Sequence, residues 1–456
     1  MNKYCYGKFL PFLLLVLLVS SGLQVSGQVS NYNTVNWRYS NPKQFGFTPL
    51  DVDFLDDNNV IAVGGDGGIA KSTDGGRNWK YGPFTFQNAA GQWQKPSMSD
   101  VHYVSSSVVY VVGSLGCMAK SIDGGNTWSF VRTPLYANAR NINAVWFVNE
   151  NTGYIGGAWN TADSIPKVYF TNNGGATWDS LSAPAVNGKT RVGYINNPNL
   201  APILMDVTGK AKEIFRIEFT SPTVGYITGT SSQDFPRIPS STAAPACTPS
   251  GTTTSTGSHA ASLVWKFSNG VLTDYSLSKE RLGYSGINTN TITCTTLYGN
   301  ITPMTQQYRA MNIINDSLIV LMSFNNNIVV RVYTGVNDNV INMATGLPEK
   351  GRYQIMSYPF PPTQGPQAGP PIPNPNNNLF SNPYQIRRAA NGKLFAAANF
   401  GLLWTSVDTG RTWLREYSLP QGKNYSSFAT WALDISPSGK LLSMGQNGVV
   451  ADSSSA

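Results

Sequence analysis

Charged side chains, histidines and cysteines are all scarce in this 456-residue chain, and each scarcity removes a class of function. Asp, Glu, Lys and Arg together make 12% of the residues, with a formal net charge of +8. Lys3 and Lys8 carry two of those charges, and the +6 left beyond them is spread too thinly for a nucleic-acid footprint. There are two histidines, His102 and His259, and four cysteines, with no His/Cys spacing that builds a zinc site. No metal or cofactor is expected. The glycine-rich run Gly64-Gly65-Asp66-Gly67-Gly68 lies between two strands and opens no helix, so it is not a phosphate loop. No Ser-His-Asp arrangement can be assigned. Beyond the first two dozen residues no apolar run approaches a membrane span. The acidic run Asp51 to Asn58 hints at calcium, but Asp56 to Asn59 align with the turn Asn149 to Thr152, and a solvated turn accounts for it.

What is present is repetition. Ser72-Thr73-Asp74-Gly75-Gly76-Arg77-Asn78-Trp79 returns at Ser121 to Trp128, at Thr171 to Trp178 and at Ser406 to Trp413. The shared pattern is Ser/Thr-x-Asp-x-Gly-x-x-Trp: Ser72, Asp74, Gly76, Trp79; Ser121, Asp123, Gly125, Trp128; Thr171, Asn173, Gly175, Trp178; Ser406, Asp408, Gly410, Trp413. The first three copies start 49 and 50 residues apart, a period that means a repeat architecture. Each copy reads as a hairpin turn, with the Asp or Asn accepting backbone N–H groups, the Gly supplying positive φ and the Trp opening the next strand. Upstream of each runs a strand–turn–strand phrase, clearest in Ala144 to Gly157 and repeated in Arg216 to Ile227, with weaker copies near Asp51, Asp100, Arg309, Gln385 and Ala432.

The four turns resemble the Asp-box (BNR repeat) of sialidases, some endoglucanases, sortilin-type receptors and photosystem II assembly-factor-like propellers. The paired phrases Asn151-Thr152-Gly153-Tyr154-Ile155-Gly156-Gly157 and Ser121 to Trp128 look most like the photosystem II assembly/stability-factor type. That resemblance implies an all-β propeller in which the box is a structural corner remote from the ligand, and a non-catalytic protein. The sialidases' Phe/Tyr-Arg-Ile-Pro arginine phrase has a look-alike in Phe235-Pro236-Arg237-Ile238-Pro239. It carries an extra Pro and follows the third box instead of preceding the first, so it is read as coincidence.

The expected architecture is a single propeller, read as seven four-stranded blades, with six or eight as the alternatives because the fifth and sixth copies are poorly marked. The last copy stops where its fourth strand should come, and Thr34 to Tyr39 is a strand without partners, so this N-terminal strand is expected to complete the last blade. Met1 to Gly27 reads as a secretory signal peptide, with Lys3 and Lys8, an apolar core from Phe9 to Val19 and the small residues Val25-Ser26-Gly27. The propeller is then residues 28–456, secreted or periplasmic, interrupted by insertions at about 231–261, 271–307 and 358–383. Cys117 reads as a buried apolar residue, whereas Cys247 and Cys294 lie in insertions where they either pair or stay free.

Aligning the repeats gives one equivalent position on each first strand: Asp53, His102, Trp146, Glu218, Asn312, Arg387 and Asp434. The interleaved Val52, Val101, Val145, Ile217 and Leu433 stay apolar. Innermost strands line a propeller's channel, so these seven residues are either hydrogen-bond partners between blades or a binding surface at the channel mouth, with Trp146 as an aromatic platform. The expected function is a non-catalytic module binding another envelope or extracellular protein. The alternative is a carbohydrate-active propeller, hydrolase or lectin.

Overall fold

The innermost strands alternate as their sequences dictate. Pro49–Phe54, Met98–Tyr103 and Ile142–Phe147 share one burial pattern, with the fifth residue of each half-buried and the flanking Val/Phe/Tyr positions buried. The second strands, Val60–Gly64, Val109–Gly113, Gly153–Gly157 and Leu441–Gly445, are buried at every residue. Continuous Val/Ile/Leu/Gly runs suit a strand covered on both faces. The chain is described by a computed structural model over residues 37–39, 46–158, 168–184, 187–192, 203–234, 258–276, 307–324, 328–334, 352–357, 384–398, 402–417, 430–445 and 450–453.

These strands assemble into antiparallel sheets arranged in chain order. The first blade is Pro49–Phe54, Val60–Gly64, Gly68–Ser72 and Lys80–Pro83; the second is Met98–Tyr103, Val109–Gly113, Met118–Ser121 and Ser129–Val131; the third is Ile142–Phe147, Gly153–Gly157, Tyr169–Thr171 and Asp179–Ser180. Two later blades begin at Gln307–Asn315 and Gln385–Arg388. The closing blade is Thr430–Ile435, Leu441–Gly445 and Val450–Ser453, completed by Trp37–Tyr39 in the register Trp37↔Ser453, Arg38↔Asp452, Tyr39↔Ala451. First strands of successive sheets touch one another around the circle, and Pro49–Phe54 meets Thr430–Ile435 to close it.

The expectation of seven four-stranded blades is overturned: the described residues form six four-stranded blades. The remaining sector holds a five-stranded sheet, Asn187–Val192, Ile203–Ser221, Val224–Asp234, Ser258–Ser268 and Val271–Asp274. Its long strand of 19 residues pairs at its start with Asn187–Val192 and further on with Val224–Asp234. Residues 231–234, 258–261 and 271–274, which lie in two of the sequence-derived insertions, are strand. A small separate hairpin, Phe86–Gln87 with Trp93–Gln94, precedes the second blade.

The core lies between blades. Ile61, Val63 and Ile69 of the first blade pack with Val101, Val109, Val111 and Cys117 of the second. Tyr110, Val112 and Met118 pack in turn with Ile142, Val145 and Phe147 of the third, and the Tyr110 and Phe147 rings stack at 3.7 Å. Each fully buried side chain of this kind contributes roughly 1.5–3 kcal/mol, so the contacts between neighbouring blades are what hold the ring. Cys117 is buried and free, its thiol pushed up to about 12 by burial. Cys247 and Cys294 lie outside the described residues, as do Met1 to Gly27, the Phe235 to Pro239 phrase and the 358–383 insertion.

Candidate functional site

The four Ser/Thr-x-Asp-x-Gly-x-x-Trp segments are turns with one hydrogen-bond scheme. Ser121 Oγ donates to Asp123 Oδ1 at 2.8 Å and accepts from Gly125 N at 2.8 Å, while Asp123 Oδ1 takes Asn126 N and Thr127 N at 3.0 and 2.8 Å. Asn173 substitutes for the Asp in the third copy and still accepts Thr177 N at 2.9 Å. The Trp79, Trp178 and Trp413 indoles donate to Gly76, Gly175 and Gly410 carbonyls. Each of these glycines has positive φ and sits against the preceding blade: a Cβ on Gly76 would meet Leu442, on Gly125 Ile61, on Gly175 Val131 and on Gly410 Val320. The segments are docking corners between blades.

The aligned first-strand positions form a ring at one end of the channel. Asp53 Oδ2 accepts Tyr103 N at 2.6 Å, and Asp434 Oδ2 accepts Phe54 N at 2.8 Å. A carboxylate of one blade thus ties down the first strand of the next. Arg387 joins two partners, donating from Nε to Asp434 Oδ1 at 3.1 Å and from Nη1 to Glu218 Oε1 at 3.5 Å. His102 stacks on Trp146 with centroids 4.4 Å apart, and its Nε2 lies 3.0 Å from the Phe147 carbonyl. Because a carbonyl can only accept, His102 carries its proton on Nε2, leaving Nδ1 3.8 Å from Asp53 Oδ2. Trp146 is partly buried against the core that holds Ile217 and Phe219, so its ring is a wall of the channel more than a bare platform. Asn312 is 8% exposed, and its Oδ1 has no hydrogen-bond partner.

One step deeper, at positions two residues earlier, lies a layer that sequence reasoning did not single out. Asp51 Oδ2 accepts Val101 N at 2.9 Å and Asp100 Oδ2 accepts Val145 N at 2.8 Å, repeating the tie of one blade to the next. Gln385 donates to Asp51 and accepts from Leu433 N. Arg216 Nη1 donates to Asp100 Oδ1 at 3.3 Å, and its Nη2 reaches the Tyr384 carbonyl at 3.2 Å. The signal was available: a strand has period two, so polar residues two before the aligned set, Asp51, Asp100, Arg216 and Gln385, line the same channel.

Burial dominates the electrostatics. It raises Asp53, Asp100 and Glu218, with Asp434 adding to the effect on Asp53 and Asp51 to that on Asp100, whereas Arg387 pulls Glu218 back. Asp434 is pushed up to about 6 by burial against the opposing pull of Arg387. Burial opposes the Arg387 charge too, but Asp434 and Glu218 more than offset it and hold the guanidinium protonated. His102 is pulled down to about 4 by burial. At neutral pH it is an uncharged ring.

The ring opens toward the same face as the turns that follow each third strand. Asp53 immediately precedes the last residue of its strand, and Gly75 N of the first of those turns bonds Asn58 O in the hairpin just beyond it, at 2.8 Å. The Asp-box resemblance implied a ligand remote from the box, and the aligned residues are on the box side. Asp56 holds its own hairpin, accepting Asn58 N and Asn59 N at 2.8 and 2.7 Å, as a solvated turn does. Among the described residues no cluster of His, Cys, Asp and Glu could hold a metal ion.

A closed ring of antiparallel sheets about a lined channel defines a β-propeller. Solved structures similar to it include YCF48 bound to a D1 peptide, at 13% identity and TM-score 0.51, covering 92% of this chain and 97% of that one. YCF48 from Cyanidioschyzon merolae is similar at 15% identity and TM-score 0.51, covering 91% and 98%. At such identities the likeness establishes the fold alone, a β-propeller. No protein-family profile and no curated protein sequence matches the chain.

Proposed function

We propose that this protein is a non-catalytic, protein-binding propeller that works outside the cytoplasm, with residues 28–456 as its mature domain and the box-side channel mouth as its recognition surface. The carrying observation is the state of the channel carboxylates. Asp51, Asp53, Asp100 and Asp434 each have an oxygen committed to a backbone N–H of the following blade. Groups held this way serve first as ties between blades, and their positions are set by the neighbouring backbone and not by a bond to be cleaved. They can present a fixed pattern of charge to a partner. The similar structure of YCF48 bound to a D1 peptide supports a polypeptide as the partner. The Met1 to Gly27 segment supports export.

The test is capture of tagged mature protein, crosslinked in its own organism, followed by identification of what co-purifies. One or two stoichiometric envelope or extracellular proteins are expected, lost when Trp146→Ala and Arg387→Met are combined in a variant that keeps its melting transition. No captured protein, together with specific binding on a glycan array, would overturn the reading in favour of a lectin-like propeller.

A further inference from the structure

The two channel layers carry more acid than base. Among the described residues Asp51, Asp53, Asp100, Glu218 and Asp434 face two guanidinium groups, Arg216 and Arg387, and the histidine among them is neutral. Glu213 and Arg309, on the same strands farther from the box side, are one of each sign. The surplus sits in a protein whose formal net charge is +8, so it is local to the channel. Buried like charges repel strongly in a low-dielectric channel, and the ordinary remedies are protonation or a cation.

A second observation points the same way. Asn312 stands in the ring between the strands of Glu218 and Arg387, more than nine-tenths buried, with an amide oxygen to which nothing among the described residues donates. A buried acceptor left unpaired costs about 1–3 kcal/mol, so the ring lacks a donor as well as positive charge. Asp53 Oδ1 and Glu218 Oε2 also make no hydrogen bond among the described residues, and the two side chains keep 25% and 15% of their surface open to the channel. One group satisfies all three: a cation carrying several N–H donors. A bare metal ion fits poorly, because it wants several oxygens converging at just over 2 Å and these carboxylates are held apart on separate blades.

We infer that the box-side channel mouth, ringed by Asp53, Glu218, Asn312 and Asp434, receives a lysine or arginine side chain of the protein partner. This rests on the protein-binding reading and specifies its chemistry. The inserted ammonium or guanidinium donates to Asn312 Oδ1 and to the open oxygens of Asp53 and Glu218, and its alkyl stem lies along the His102–Trp146 wall.

The probes are n-butylammonium and ethylguanidinium, with n-butanol as the uncharged control, read by the indole N–H resonance of Trp146, which Trp146→Phe assigns. Saturable shifts with both cations and none with butanol are expected. Binding should weaken about fivefold or more in Glu218→Gln and in Asp53→Asn, each of which removes one charge and keeps an acceptor oxygen. Asn312→Val, which touches no ion pair, should weaken it too. Equal responses to butanol, or cation affinity unchanged in all three variants, would overturn the inference. Partner capture that persists in Glu218→Gln and Asp53→Asn would leave the protein-binding reading standing while removing the basic side chain from it.

Discussion

Single residues carry unequal loads in the repeated turns, and the third copy shows which matter. Asn173 keeps the accepting oxygen without the charge, and its turn retains the hydrogen bonds from Thr177 N and Thr171 Oγ1. Asp123→Asn should therefore cost under about 1 kcal/mol, whereas Ser121→Ala should cost about 1–2, because it leaves the buried N–H of Gly125 without its acceptor. Urea denaturation of the two variants gives the comparison, and equal costs would contradict the division. His102 supplies a pH prediction of definite sign. Its folded pKa of about 4 lies below the ordinary histidine value of 6.5, so the folded state binds fewer protons between those values and stability falls as pH drops through that window. The raised carboxyls act oppositely: Asp434, at about 6 when folded, takes up its proton earlier in the folded state and adds stability as pH falls below 6. His102→Gln removes the first effect, preserves a donor for the Phe147 carbonyl and leaves the second. Between pH 7 and 5 it should gain on the order of 1–2 kcal/mol relative to the parent, seen as a smaller fall or a rise in Tm. An identical pH profile in the two proteins would show that His102 is not held neutral.

At the scale of elements, the repeats were legible because their turn chemistry is local. The Ser–Asp–Gly–Trp spacing specifies its own bonds within eight residues, and the apolar alternation of the first strands follows from one face meeting a neighbour. The five-stranded sheet was not legible, for the opposite reason. Asn187–Val192 pairs with Ile203–Thr208 across a connection whose Asn197-Pro198 marks a turn without fixing a strand register, and Val264 to Gly270 reads in the sequence as a worn-down box. What ends that sheet is Asn269-Gly270, both at positive φ, in a plain two-residue hairpin. Docking of the turns onto neighbouring blades was likewise invisible, since it depends on which side chains lie across the gap. Gly125 illustrates it: φ is +89° and a Cβ would stand 2.4 Å from Ile61 Cδ1. Gly125→Ala should cost about 1–3 kcal/mol through backbone strain and the shift forced on Ile61. The added Ile61→Val should recover part of that loss, and a simple sum of the two costs would mean the strain is purely internal to the turn. Lysines bridge the same gap, Lys71 to Asn126 and Lys120 to the Gly174 carbonyl.

For the whole molecule, the channel and the closure are two consequences of one geometry. A ring places every first strand beside the next, so a carboxylate on one strand can bond the neighbour's backbone: Asp51 and Asp53 do so from the first blade, Asp100 from the second and Asp434 from the closing one. The alignment found the ring but could not divide structural ties from a binding surface, because both require polar residues at the same register. Closure was legible from the missing fourth strand, and its consequence is testable. Trp37–Tyr39 covers the outer edge of Val450–Ser453, and that pairing joins residues from opposite ends of the described chain. Deleting residues 37–39 removes a short ladder worth a few kcal/mol at about 1 kcal/mol per hydrogen bond, and uncovers a strand edge able to pair with another chain. The deletion protein should melt several degrees lower and show concentration-dependent association by light scattering. A synthetic peptide spanning residues 34–39, added in excess, should restore monomeric behaviour by occupying the edge. An unchanged Tm and a monomeric deletion protein would mean that the ring is held by the contacts between its inner strands alone, with the terminal strand only an ornament on a structure already closed by Pro49–Phe54 against Thr430–Ile435.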